Sequence, residues 1–173
     1  MNGIVAKRLV FAVLDTDGDG VISRDDYFTR IDRLTAATKR SEEDPMVVHA
    51  RAAGERAWAE MDADGDGRMT EDEYLAWVGV EAFDTICSPA LGALFDLADT
   101  DQDGSLNRTE FITLRTALGT RAGSAEVAFE LLDADGDERV SRDDYLMAIR
   151  THIAGEDTAA GAVLYGPWKT TTG

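Results

Sequence analysis

Four times in this chain three aspartates stand at alternate positions, and a further acid follows seven residues after the third. The runs are Asp15, Asp17, Asp19 and Asp26; Asp62, Asp64, Asp66 and Glu73; Asp99, Asp101, Asp103 and Glu110; and Asp133, Asp135, Asp137 and Asp144. That spacing describes the oxygen cage of a hard divalent cation. Carboxylates at loop positions 1, 3 and 5 converge as the chain curls, a backbone carbonyl at position 7 adds an oxygen, and the acid at position 12 closes the cage. The position-7 carbonyls belong to Val21, Arg68, Ser105 and Arg139. An acidic chain can produce one such run by chance, but not four with matching flanks.

The flanks repeat as faithfully as the loops. Four residues before each opening Asp stands an aromatic: Phe11, Trp58, Phe95 and Phe129. One residue after each closing acid stands another: Tyr27, Tyr74, Phe111 and Tyr145. Position 8 is always apolar (Ile22, Met69, Leu106, Val140), and position 9 is always a good N-cap (Ser23, Thr70, Asn107, Ser141). Thr70 with Glu73 reads as a capping box. Each repeat is therefore helix, loop, helix, with its aromatics in a shared core. The position-8 residues should pair as short antiparallel strands between neighbouring loops.

The expected fold is all-α: four helix–loop–helix units in two pairs, packed into one compact body with short β pairing between loops. Helices are expected over about 3–14, 24–40, 45–61, 71–83, 89–98, 108–118, 124–132 and 142–153, with Pro45 and Pro89 opening two of them at N1. Residues 1–83 form the first pair, with loops 15–26 and 62–73. Residues 84–154 form the second, with loops 99–110 and 133–144, and 155–173 is a tail packing on the body. The polar stretch 38–44 reads as the most flexible connection. The apolar one over 78–89 is unsuited to a solvent-exposed tether, so the two pairs should press together.

The formal charge is −17, and sixteen of the 34 acids are the loop carboxylates. Four bound divalent cations would cancel eight of those charges, so the metal should stabilise the fold by preferring it. So acidic a surface disfavours nucleic acid. Cys87 stands alone, which excludes an intramolecular disulfide and fits a reducing compartment. The first loop begins by residue 15, leaving no room for a signal peptide, and no apolar stretch is long enough to span a membrane. Asn2 stands where N-myristoylation requires glycine. These features predict a cytoplasmic monomer with no membrane contact.

The loops and their flanks resemble the EF-hand superfamily over nearly the whole chain. Loops opening at 15, 62, 99 and 133 have a long first interval. That interval, with the ending Leu164-Tyr165-Gly166-Pro167, is similar to the sarcoplasmic calcium-binding protein and calerythrin group. The resemblance implies a cytosolic calcium buffer whose two pairs share a large aromatic core.

The four loops differ at positions 6 and 12. Loops 2 and 3 close with Glu73 and Glu110, long enough to offer both oxygens, and carry Gly67 and Gly104 where the turn needs positive φ. Loops 1 and 4 close with Asp26 and Asp144, one methylene shorter, which lowers coordination and lets Mg²⁺ compete. Loop 1 keeps Gly20, whereas loop 4 has Glu138 at that position. Gln102 at position 4 of loop 3 reads as an exposed change of little consequence. The expected order is loops 2 and 3, then loop 1, then loop 4; the alternative for loop 4 is a vestigial loop kept only to pair with loop 3.

A buffer is the leading reading, because the five methionines are scattered and the flanking aromatics favour a fixed core. The alternative is a sensor that exposes an apolar groove to a protein partner on binding calcium. An enzyme is disfavoured: His49 and His152 lie far apart in helices, and no nucleophile–base pairing or phosphate-cradling loop is visible. A further alternative is likeness to the EF-hand photoproteins and luciferin-binding proteins, with Trp58, Trp77 and Trp168 lining a cavity closed by the tail. For these tryptophans core packing is the simpler reading.

Overall fold

The computed structural model describes residues 3–156 and 158–165. Loop 1 lies between helix α1 (Gly3–Leu14), strand β1 (Val21–Ser23) and helix α2 (Arg24–Ala37). Loop 2 lies between α3 (Pro45–Met61), β2 (Arg68–Thr70) and α4 (Glu71–Trp77). Helix α5 (Val80–Ala98) enters loop 3, which leaves through β3 (Ser105–Asn107) and α6 (Arg108–Ala117). Helix α7 (Ala122–Leu132), β4 (Arg139–Ser141) and α8 (Arg142–Ile153) frame loop 4, and α9 (Ala159–Leu164) follows.

The exit helices begin where the sequence provides a side chain for their free N–H groups. Ser23, Thr70 and Asn107 each complete a capping box, because the acid at loop position 12 is also the third residue of the helix that follows. Asp44 caps α3 by accepting from the Met46 N–H at 2.8 Å, with Pro45 in the first turn as expected. The expected helix over 24–40 ends earlier, where Lys39 takes a left-handed φ of 55°.

Around residue 80 the chain departs from expectation. The helix expected over 71–83 stops at Trp77, because Val78 and Gly79 adopt extended backbone, and the axis bends by 83° into α5. The bend buries Val78 and Phe83. Helix α5 does not open at Pro89 but runs through it, carrying a π turn over Phe83–Cys87 in which the Ser88 N–H bonds to the Phe83 carbonyl. That wider turn directly precedes a residue with no N–H to give. The apolar 78–89 connection is therefore helical from Val80 onward and enters the core through Val78 and Phe83.

All eight loop-flanking aromatics are buried, and they meet within each pair of loops. Phe11 lies 5.6 Å from Tyr74 and Tyr27 5.6 Å from Trp58, so each entering helix meets the exit helix of the other loop. Phe95–Tyr145 at 5.7 Å and Phe111–Phe129 at 5.6 Å repeat the arrangement. Between the loops Ile22 pairs with Met69 and Leu106 with Val140 in two antiparallel two-stranded sheets, as position 8 implied. The two halves then close on each other: α3 packs on α5, α2 on α6, and α1 on α8. Arg150 adds a two-pronged ion pair to Asp84, at 2.7 and 3.0 Å, between α8 and the π turn.

Helix α9 lies against α7 and α8 and buries Leu164 and Tyr165. Gly166, Pro167 and Trp168, on which the sequence reading of the tail also drew, lie outside the described residues. Phe95 is fully buried, whereas Val48 is 54% exposed on α3. Phe95→Ala should therefore destabilise the calcium-loaded chain by about 3–5 kcal/mol, and Val48→Ala by less than about 0.5 kcal/mol. Urea unfolding followed by near-ultraviolet circular dichroism would show this, and equal midpoints would refute a core organised on the flanking aromatics.

Candidate metal centres

Each loop gathers a carboxylate cluster, but the clusters are not alike. In loop 1 oxygens of Asp15, Asp17 and Asp19 lie within 4.8 Å of one another. The same holds for Asp62, Asp64 and Asp66 in loop 2 and for Asp133, Asp135 and Asp137 in loop 4. In loop 3 the group is Asp99, Asp101 and Glu110, so only there does a closing acid join the cluster. Asp103 instead pairs with the guanidinium of Arg139, the position-7 residue of loop 4, which also donates to Ser105 Oγ at 3.0 Å.

Backbone N–H groups cradle the acids and hold the curl. The N–H at position 6 donates to the position-1 carboxylate in every loop: Gly20 to Asp15 at 3.1 Å, Gly67 to Asp62 at 3.1 Å, Gly104 to Asp99 at 2.9 Å and Glu138 to Asp133 at 3.1 Å. The position-7 N–H groups of Val21, Arg68, Ser105 and Arg139 donate to the position-5 acids at 2.8–2.9 Å. This geometry requires left-handed backbone at position 6, where Glu138 has φ 64°. Position 4 is left-handed too, and Gln102 there has φ 59°. The expectation that Gln102 is of little consequence is corrected: it holds a conformation that a side chain disfavours by roughly 1–2 kcal/mol.

The closing acids divide the loops by parity. Asp26 is buried: its Oδ1 accepts from the Thr16 N–H at 3.1 Å and from the Thr16 hydroxyl, its Oδ2 from the N–H and hydroxyl of Ser23. Burial alone would raise its pKa, but those hydrogen bonds outweigh it and hold the carboxyl below its usual range. Glu110 is buried in the same way, taking the N–H and hydroxyl of Thr100 at 2.9 and 2.6 Å and the Asn107 N–H at 3.1 Å. Glu73 and Asp144 are exposed and, among the described residues, answer only their own N-caps, Thr70 and Ser141.

The side chain at position 2 separates these cases. It is Thr16 and Thr100 in the odd loops, and Ala63 and Ala134 in the even ones. Reading positions 6 and 12 alone overlooks it, although the alternation of Thr and Ala is visible in the sequence. Loops 1 and 3 thus hold their closing acid drawn in, whereas loops 2 and 4 hold it at the helix N-terminus.

The donor set suits calcium. It is all oxygen, and in loops 2 and 4 a buried carboxylate oxygen, Asp62 Oδ1 and Asp133 Oδ1, has no hydrogen-bond partner among the described residues. A cation is the partner such an oxygen lacks. Burial pushes the Cys87 thiol up to about 12, so it stays protonated at neutral pH. Trp58 packs in the core against Tyr27, and Trp77 borders an internal cavity of about 70 Å³ between the halves.

Paired helix–loop–helix units around oxygen cages define an EF-hand calcium-binding protein. The chain belongs to the EF-hand domain pair family, which matches residues 5–79 and 88–150. It is similar to calerythrin of Saccharopolyspora erythraea, at 32% identity over 72 residues, which is 42% of this chain and 41% of that protein. It is also similar to the luciferin-binding protein of Renilla reniformis, at 26% identity over 160 residues, covering 88% of this chain and 87% of that one. Among solved structures, a Streptomyces coelicolor calcium-binding protein described in prokaryotic calcium-mediated regulation superposes with a TM-score of 0.76. It is 24% identical, with 88% of this chain and 99% of that chain covered.

Two substitutions separate the contributions of positions 2 and 6. Thr100→Ala removes a hydroxyl from the Glu110 carboxylate and should weaken loop 3 by about 1 kcal/mol, roughly fivefold. Glu138→Gly relieves left-handed backbone and should strengthen loop 4 by a similar amount. Calorimetric calcium titration reads both. An unchanged Thr100→Ala profile would show that the parity of the loops has no bearing on binding.

Proposed function

We propose that the chain is a calcium buffer, holding the ion in loops graded in affinity. The observation that carries this reading is the burial of all eight loop-flanking aromatics in a core continuous across both halves. A sensor must part its helices to expose an adaptable groove, and a rigid aromatic core opposes that movement. Loop 3, complete at positions 6 and 12 and with Glu110 already drawn in, is the tightest site on this account. Loops 1 and 4, closed by the shorter Asp26 and Asp144, are where Mg²⁺ competes. The reading carries with it a cytoplasmic monomer. Among the described residues no single helix is long and apolar enough to cross a membrane.

One feature favours a second reading, a sensor. Beside loop 4 lies a groove of about 450 Å³ in which Leu131 and Met147 adjoin Asp135, Asp137 and Asp144, and both apolar side chains are exposed. The regulatory role named for the Streptomyces coelicolor protein accords with it. A luciferin-type ligand is less well supported, because the internal cavity of about 70 Å³ is far below the several hundred Å³ that ligands of drug size occupy.

A buffer should bind calcium with no rise in the fluorescence of an apolar-surface dye. In calorimetry, millimolar Mg²⁺ should weaken part of the calcium binding and leave the tightest site in place. A several-fold rise in dye fluorescence on adding calcium would establish the sensor instead.

A further inference from the structure

Two arginines sit in the interior with no carboxylate beside them among the described residues. Arg30 of α2 is 8% exposed and Arg115 of α6 is 1% exposed, and both line the cavity between the halves. Arg30 donates through Nε to the Tyr27 carbonyl at 3.0 Å, and its guanidinium lies 4.3 Å from the Tyr27 ring centroid. Arg115 donates to the Tyr145 hydroxyl at 3.0 Å and to the Leu164 carbonyl at 2.8 Å, with the Tyr165 ring 5.2 Å away. Its Nε has no hydrogen-bond partner among the described residues. Among the described residues, every partner of these two guanidinium groups is a neutral oxygen or an aromatic face.

Such an arrangement is electrostatically incomplete. A guanidinium does not shed its proton, so burial cannot neutralise it. Ring faces and neutral acceptors compensate only part of what water would give. The phenols cannot supply the missing charge: burial raises Tyr27 and Tyr74 and pushes Tyr165 up to about 12, so all stay neutral near pH 7. The loop carboxylates, which dominate the charge of the chain, are committed to the cages at its surface.

We propose that the cavity between Arg30 and Arg115 is a binding site for a small organic carboxylate. A cavity of about 70 Å³ is several times the roughly 10–15 Å³ needed to hold one water, which leaves room for an ion of acetate size. Val10, Leu14, Ala57 and Leu94 give the cavity apolar walls suited to a short alkyl group. The planar guanidinium fork matches two carboxylate oxygens better than a spherical ion. The arginines come from the exit helices of loops 1 and 3, so the bound anion would bridge the two halves.

The probe is ¹³C-carboxyl acetate, titrated into the full calcium-loaded chain at constant ionic strength and followed by NMR. Calcium lowers the negative field that an anion must cross. The expected result is saturable binding of one acetate per chain, weakened at least about tenfold by Arg30→Met, the loss of one charged hydrogen-bonding partner. Arg30→Lys should recover only part, since it restores charge without the fork. Arg115→Met is the second variant, and near-ultraviolet circular dichroism shows whether each retains the fold. Linear, non-saturable acetate uptake, or equal affinity in the chain and in folded variants, overturns the proposal. Equal competition by chloride at the same concentration also overturns it, since the site would then recognise charge alone.

Discussion

The mutual repulsion of the loop carboxylates is the constraint on which the rest of the molecule depends. Within each loop three acids hold oxygens within 4.8 Å of one another. At that separation each pair repels by between about 1 kcal/mol in bulk water and 3–4 kcal/mol at an effective dielectric near 20. Twelve carboxylates in four such groups would open the loops if nothing held the ends together. Three devices hold them: backbone N–H groups aimed at the position-1 acids, the strand pair joining neighbouring loops, and the aromatic contacts behind each loop. Calcium completes the balance from inside the cage, and its binding is thereby coupled to folding.

Much of this was legible because each loop position answers one physical requirement. Alternating acids, an apolar position 8 and an N-cap at position 9 marked the curl, the strand and the helix start, and the structure has each. The aromatic flanks were legible as core for the same reason. The break at Val78–Gly79 and the π turn before Pro89 were not, because they depend on tertiary packing. An apolar stretch of that length fits one continuing helix as readily as two at 83°. The strain at Gln102 was missed because exposure was judged without the backbone angle, and exposure says nothing about φ.

Position 2 had the opposite fault: the signal was in the sequence but its chemistry was overlooked. The hydroxyl of a threonine beside the first ligand can reach the closing acid ten residues on, as those of Thr16 and Thr100 do, and an alanine has none. Each pair of loops therefore contains one whose closing acid is drawn in and one whose acid stands at the helix N-terminus. Joined by a two-stranded sheet, the two loops are mechanically linked. In the second pair the link is also electrostatic, because Arg139 of loop 4 holds Asp103 of loop 3. A cation held in loop 3 would compete with that guanidinium for Asp103, and Arg139 is also the residue whose carbonyl would serve loop 4. The two loops of this pair are thus tied to each other by a side chain as well as by the strands.

The same core that braces the loops limits what the molecule can do with the calcium it holds. Helices that part on metal binding need an interface that can re-form elsewhere, which flexible methionines permit and interlocked rings do not. Here the rings meet across both loop pairs, and the halves are further joined through α3 on α5 and α2 on α6. Movement of one exit helix would disturb contacts in both halves at once. Among the exposed apolar residues, Leu131 and Met147 flank loop 4, although the rings behind that loop, Phe129 and Tyr145, are themselves fully buried. A large conformational output would have to be confined to such surface residues or else disturb the core that both halves share.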